Sequence, residues 1–264
     1  MKRKISLICA ITITSIVFAY NNTYAIVVGI ADYKNYTIND GDLNYTTNDA
    51  RLFYEFLRSK KGGSVPAENI VYLTNSRASK ANIIAQGKAL FSKARENDRV
   101  IFFFSGHGDK GCFVPYDAGG YGDNLLYFSE VKSIFKSARC RTKLLFADAC
   151  FSGSMKNLNI TKSIQHTLNK EMKVASNMNI AVMMSCKGNE VSWELGELQQ
   201  GIFTYYLIKG LGGLANEDNN AYVTIQELYY YVTKKMRAKS ASMGHSQTPE
   251  LFGNFDLRLI VAKK

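Results

Sequence analysis

Proline, cysteine and tryptophan are scarce in this chain of 264 residues, at three, five and one. So few prolines exclude collagen-like and proline-rich low-complexity architectures. Five cysteines are too few for a scaffold built on disulfides. None of them forms a CxxC pair. Cys112 lies five residues after His107, but no second close pair supplies the remaining ligands of a structural zinc, so no metal site is expected. Internal repeats are also missing, as are an arginine-rich stripe and an aromatic ladder. The formal charge of +11 therefore does not point to nucleic acid. What is present is apolar: 46% of residues are hydrophobic and 12% aromatic, enough to build one large core and to exclude wholesale disorder.

The first nineteen residues have the form of an export signal. Lys2, Arg3 and Lys4 precede the uncharged run Ile5 to Ala19, which is short for a membrane span. Cleavage is expected after Ala19; a cut after Ala25 would leave the core strand from Ile26 without lead-in residues. A retained anchor is the alternative. Ile8 before Cys9 argues against lipid attachment, where a small residue is needed. Removing the leader removes only Lys2, Arg3 and Lys4 among charged residues, which lowers the net charge from +11 to +8. The expected mature protein, 20–264, is secreted or periplasmic, with no stable membrane insertion.

Five short apolar runs read as strands: Ile26–Ile30, Ile70–Leu73, Val100–Phe104, Lys143–Ala147 and Ile180–Ser185. Their near-continuous apolar character suits strands buried on both faces of a mostly parallel sheet. Between them, 48–60 carries Leu52, Phe53, Phe56 and Leu57, and 79–94 carries Ile83, Ile84, Leu90 and Phe91, both at helical spacing. The alternation predicts one α/β domain with ligands at the carboxyl ends of the strands. Residues 154–179 are polar and weakly periodic, and are expected to form a mobile segment. Two stretches imitate calcium loops. The one from Asp40 has Tyr45 where glycine is needed and Arg51 where glutamate is needed. In the one from Asn216, Thr224 and Glu227 form a capping box for a helix over 225–235.

The chemistry lies at two strand exits. Val100–Phe104 runs into Ser105-Gly-His-Gly108, and Lys143–Ala147 runs into Asp148-Ala-Cys-Phe-Ser-Gly153. A histidine there can exchange a proton near neutral pH, and a cysteine can attack a carbonyl as its thiolate. Gly106 and Gly108 leave the backbone around His107 open, so the amides of Gly108 and Cys150 could form an oxyanion hole. Other cysteine chemistries fail on spacing. Lys156 stands where a phosphatase loop needs arginine, and the G-x-nucleophile-x-G elbow is missing.

These motifs resemble those of caspase-fold cysteine peptidases, nearer to metacaspases and their bacterial relatives than to animal caspases. His107 and Cys150 stand 43 residues apart, near the roughly 50 expected of caspases. Further similar segments are 24–33, Asn48-Asp-Ala50, Val114-Pro-Tyr-Asp117, Gly201-Ile-Phe-Thr204 and Gln247-Thr-Pro-Glu-Leu251. The resemblance implies a caspase-haemoglobinase-like three-layer α/β sandwich with a mostly parallel central sheet. It makes His107 the general base and acid and Cys150 the nucleophile, and places Asp49, Ser105 and Asp148 in the S1 pocket. Carboxylates there favour Lys or Arg in a protein or peptide substrate. Trp193 and Glu194 are further candidates for substrate binding: animal caspases carry Ser-Trp-Arg where Ser192-Trp-Glu194 stands here, which disfavours an aspartate at P1. Lys156, Lys162, Lys170 and Lys173 are candidate self-cleavage sites of a zymogen. The chain departs from calcium-dependent metacaspases by offering separated Asp109, Asp117, Asp123 and Asn157 instead of an adjacent acidic pair, so no calcium or other cofactor is expected. Phe151 also replaces the histidine common after the metacaspase cysteine. The alternative function is a catalytically idle caspase-fold module that holds basic peptides in the same groove.

Overall fold

The structure, a computed structural model, describes residues 20–35, 43–109, 111–119, 123–149, 171, 179–187, 190 and 192–264. The expected leader 1–19, the start of the Asp40 loop, Cys150, and Lys156, Lys162, Lys170 and Lys173 lie outside the described residues, as does most of the segment 154–179.

Six strands form the central sheet: β1 (Thr23–Gly29), β2 (Ile70–Thr74), β3 (Arg99–Ser105), β4 (Thr142–Asp148), β5 (Ala181–Met184) and β6 (Glu250–Phe252). Their order is β6-β5-β4-β3-β1-β2, parallel throughout except for the antiparallel edge strand β6. The five expected strands are all present, each shifted by a residue or a few at its ends. β6 was not anticipated, because three half-buried residues after Pro249 carry no alternation to read.

Successive side chains alternate between the two faces of the sheet. Ile26, Val28, Phe102, Phe104 and Leu145 pack on one side against α2 (Lys80–Phe91) and α3 (Phe128–Lys136). Val27, Ile101, Phe103, Leu144 and Phe146 pack on the other against α1 (Thr46–Arg58), α4 (Ile202–Lys209) and α5 (Ile225–Ser242). The result is the expected three-layer α/β sandwich. On the α1 side, Phe53 stacks on Phe103 with centroids 4.3 Å apart. On the α2 side, Gly87 lets the helix close on the sheet: an added Cβ would stand 2.7 Å from Ile26 Cδ1 and 2.9 Å from Ile134 Cγ2.

The helix expected over 225–235 runs on to Ser242. Buried Leu228, Val232, Met236 and Ser240 recur every fourth residue, so the packed stripe outlasts its strongly apolar part. Its start is capped as expected: Thr224 Oγ1 accepts from Glu227 N, and Glu227 Oε2 accepts from Thr224 N at 2.8 Å. Glu227 Oε1 also accepts from Glu217 N. Within 154–179, Glu171 is buried and accepts from Ser129 N at 2.7 Å, near the start of α3.

Candidate active site

The register brings the two expected motifs together. Ser105 at the end of β3 pairs with Asp148 at the end of β4, so His107 and Cys150 each stand two residues beyond a paired position. His107 is half-buried. Its N–H donates to the Tyr33 hydroxyl oxygen at 2.7 Å, and the two rings lie 5.0 Å apart. Tyr33, fully buried, thus holds the histidine's backbone from the loop after β1. Gly106 is required here, since an added Cβ would stand 2.8 Å from the Tyr33 hydroxyl.

Beyond His107 the chain enters a small antiparallel sheet in which Gly108–Asp109 pairs with Cys112–Phe113. Val114 N–H donates to His107 O at 3.0 Å. In an antiparallel pair this pattern turns the N–H of the intervening residue, Gly108, away from its partner strand. That direction leaves it free of the ladder, as an oxyanion donor requires.

On the α1 face, strand parity sends Ser105 and Asp148 to the same side as Phe103 and Phe146. There they meet Asp49 of α1. Ser105 Oγ donates to Asp49 Oδ2 at 2.9 Å, and Gly201 N donates to Oδ1 at 2.9 Å. Asp148 accepts from Ser192 Oγ at 2.6 Å, Thr204 Oγ1 at 2.7 Å and Thr204 N at 3.1 Å. Asp49 is 1% and Asp148 5% exposed, and among the described residues neither pairs with a cation. The carboxylates converge on Gly201. A Cβ there would stand 2.1 Å from Asp148 Oδ2 and 3.1 Å from Asp49 Oδ2.

Such an arrangement is electrostatically unfinished. Burial first, and then the neighbouring Asp148 charge, push the Asp49 carboxyl well above the usual carboxylate range. Burial also raises Asp148, against the lowering effect of its bonds from Ser192 and Thr204. An added cation would relieve both, because it favours the charged form of each acid at once.

Trp193 and Glu194 belong to a short hairpin, Glu194–Leu195 with Gln200–Gly201, in which Glu194 pairs with Gly201. Trp193 packs against the α1-side core and stacks on His245 at 3.7 Å with planes 10° apart. Glu194 is engaged at the start of α1: Oε1 accepts from Tyr45 N at 2.8 Å, and Oε2 is 3.4 Å from Asn44 N and Nδ2. Rather than standing as a free acid at the pocket, it caps the helix that carries Asp49. Asp117 is similarly engaged, accepting from Lys80 N at 2.9 Å where α2 begins. Among the described residues no group of three or more acids, histidines or cysteines is placed to hold a metal ion.

Sequence patterns did not assign roles to Tyr33, Gly201, Thr204, Ser192 or Gln247. All five lie in segments already noted for their resemblance, or next to Trp193: Tyr33 in 24–33, Gly201 and Thr204 in Gly201–Thr204, Gln247 in Gln247–Leu251, and Ser192. The signal was present without a partner to attach it to.

A mostly parallel sheet covered by helices on both faces, with His107 and a pair of buried carboxylates following or ending strands at its carboxyl edge, marks the fold of the caspase class. The overall structure is similar to caspase-1 from Spodoptera frugiperda, with a TM-score of 0.63 and 14% identity over 94% of this chain and 93% of that one. It is also similar to a protein from Geobacter sulfurreducens, with a TM-score of 0.59 and 17% identity over 90% and 97%. These likenesses are in fold. By sequence, the profile of the Caspase domain family, peptidase family C14, matches residues 22–258, and the chain belongs to that family. Relatives include a probable protease from a Desulfuromonadales bacterium, 26% identical over 86% of this chain and 31% of the relative. Metacaspase-1 of Candida albicans is 26% identical over 72% and 44%. Metacaspase-1A of Aspergillus oryzae is 31% identical over 39% and 25%. The chain thus spans between a quarter and somewhat under half the length of these curated relatives.

Proposed function

We propose that this protein is a cysteine endopeptidase that cleaves after Lys or Arg, with Cys150 as nucleophile and His107 as proton carrier. The observation that supports the specificity is the pair of buried carboxylates, Asp49 and Asp148, facing Gly201 with neutral donors as their only described partners. A guanidinium or ammonium entering this pocket lets both acids ionise, and an acidic side chain meets repulsion in a dry site. Binding of a basic side chain is then coupled to release of a proton.

In the proposed reaction His107 takes the proton of the Cys150 thiol, and the thiolate attacks the substrate carbonyl carbon. The oxyanion is held by the N–H groups of Gly108 and Cys150. The C–N bond breaks as His107 returns its proton to the leaving amine, leaving a thioester on Cys150. Water then attacks that thioester, giving its proton to His107, and the thiol is regenerated as the carboxylic acid departs. No metal enters this scheme, and activity is expected without added calcium. Export through the leader and self-cleavage at Lys156, Lys162, Lys170 or Lys173 are part of the same proposal, supported by the leader's composition and by the lysines following the nucleophile.

The direct test is an arginyl chloromethyl ketone carrying a fluorophore. Stoichiometric alkylation of Cys150, located by peptide mapping and lost in Cys150→Ala and His107→Ala, is expected. Failure to label wild type would favour the idle module. For processing, the intact mass of wild type is compared with that of Cys150→Ala. Identical masses would remove self-cleavage.

A further inference from the structure

The loop that follows α5 reaches back across the molecule into the acidic pocket through one side chain. Gln247 is 1% exposed. Its Nε2 donates to Ser192 Oγ at 3.0 Å and to Ser185 O at 3.1 Å, and its Oε1 accepts from Trp193 N at 3.2 Å. Ser192 Oγ in turn donates to Asp148 Oδ1 at 2.6 Å. The order of donors matters. A hydroxyl carries one hydrogen, and a primary amide nitrogen only donates. With Gln247 Nε2 directed at its lone pair, Ser192 presents that hydrogen to the carboxylate.

We propose that Gln247 is a positioning residue of the acidic pocket: it fixes the Ser192 hydroxyl as a donor to Asp148 and thereby ties selection of a basic side chain to the loop 244–248. The proposal rests on the S1 assignment above. The same amide also meets Ser185 O. Ser185 Oγ donates to Ala149 O at 3.0 Å and accepts from Ala149 N at 3.1 Å, at the residue preceding Cys150. One buried side chain thus supports both the pocket and the strand end that carries the nucleophile.

The loop is held at further points. Glu190 accepts from Thr248 N at 2.6 Å and from Ser246 Oγ at 2.8 Å, and the His245 ring lies on Trp193. Among the described residues, the charged or titratable groups around the Ser192–Asp148 bond are Asp49 from α1, Glu194 from the hairpin, and Glu190 and His245 at the loop. Asp49 and Glu194 are of the same sign as Asp148. Loss of a donor to Asp148 is consequently not compensated locally, and its carboxyl moves to a higher pH range.

The test uses the full chain with Gln247→Leu, Gln247→Glu, Ser192→Ala and the Ser192→Ala/Gln247→Leu pair. Gln247→Glu keeps the size and the acceptor for Trp193 N while removing the amide donor, and serves if the leucine variant does not fold. On an arginine-ended fluorogenic peptide, Gln247→Leu is expected to raise KM about tenfold with kcat within about twofold, the size expected if the Ser192 hydroxyl no longer holds its bond to the charged Asp148. The acidic limb of kcat/KM should move to higher pH. The double variant should match Ser192→Ala alone in KM and in the position of the acidic limb, because Gln247 acts on Asp148 through that hydroxyl. Multiplying effects, or a loss confined to kcat with an unmoved pH profile, would overturn the proposal.

A readout independent of catalysis separates this from the S1 assignment. The melting temperature of Gln247→Leu and of Ser192→Ala should fall further below wild type at pH 8 than at pH 5, since an ionised Asp148 then lacks its donor. A deficit that is the same at both pH values would refute the positioning role whether or not wild type cleaves the peptide. Wild type that fails on the peptide while the variants show the pH-dependent deficit would instead refute the S1 assignment.

Discussion

Replacing Gly201 by alanine adds one methyl group where the two buried carboxylates converge. The backbone at this position, φ −65° and ψ 140°, is ordinary for alanine, so the perturbation is steric. The new Cβ would stand 2.1 Å from Asp148 Oδ2, about 1.3 Å short of an ordinary contact, and 3.1 Å from Asp49 Oδ2. Moving Asp148 that far breaks its bonds from Thr204 N and Oγ1. Overpacking costs about 1–3 kcal/mol and loss of a bond to a charged acceptor about 1.5–3 kcal/mol. A destabilisation of about 3–5 kcal/mol follows, which for a domain of this size lowers Tm by about 10 °C. With Asp148 displaced from its place beside Asp49, kcat/KM for an arginine-ended peptide should fall by about 100-fold or more. Differential scanning fluorimetry and steady-state hydrolysis by the same preparation provide both readings. Wild-type Tm together with wild-type KM would mean that Asp49 and Asp148 do not meet at Gly201, and the pocket described here would be wrong.

Asp49→Asn separates the pocket's charge from its shape. The amide oxygen still accepts from Gly201 N, and the Ser105 hydroxyl can reverse to accept from the new Nδ2. Because the folded-state pKa of Asp49 is raised, its favourable contribution is full below the unfolded carboxylate value and is lost as pH rises through the folded one. The variant should therefore exceed wild type in urea midpoint at pH 8 and converge with it at low pH, while cleavage after arginine falls at least about 100-fold; equal midpoints at pH 8 would count against the raised acid. Glu194→Gln removes a charge at the start of α1 and should cost about 0.5–1 kcal/mol in a denaturant titration, with kcat/KM changed less than about threefold. A tenfold loss in kcat/KM would return Glu194 to direct substrate contact. Cys112 and Cys140 are buried free thiols; burial raises the first above the ordinary thiol range and the second to about 11. Mass spectrometry after brief iodoacetamide treatment at pH 8 should find both unmodified in native protein and modified after unfolding, and rapid native alkylation of Cys140 would contradict its placement.

The parts legible in the sequence were those set by short-range periodicity. Strand parity alone sends Ser105 and Asp148 to the face occupied by Phe103 and Phe146, and the helical spacing of Phe53 and Leu57 places α1 on that face. The two strand exits were visible because each apolar run stops at a glycine- or acid-bearing turn. What could not be read locally was which residues complete the pocket. Gly201 reaches Asp49 across 152 positions, and Gln247 reaches Ser192 across 55. Neither contact leaves a pattern along the chain. Glu194 shows the same limit in another form: its negative sign is visible in the sequence, but its occupation with the backbone of Tyr45 follows from a hairpin closing on a helix 149 residues earlier.

The most direct measurement is hydrolysis of a matched panel of fluorogenic peptides ending in Arg, Lys or Asp, in calcium-free buffer, with Cys150→Ala as the blank. Cleavage after Arg and Lys, none after Asp, and loss of all signal in the blank are the predicted results. Preferential cleavage after Asp, or hydrolysis that survives the substitution of Cys150, would contradict the proposed mechanism and its acidic pocket.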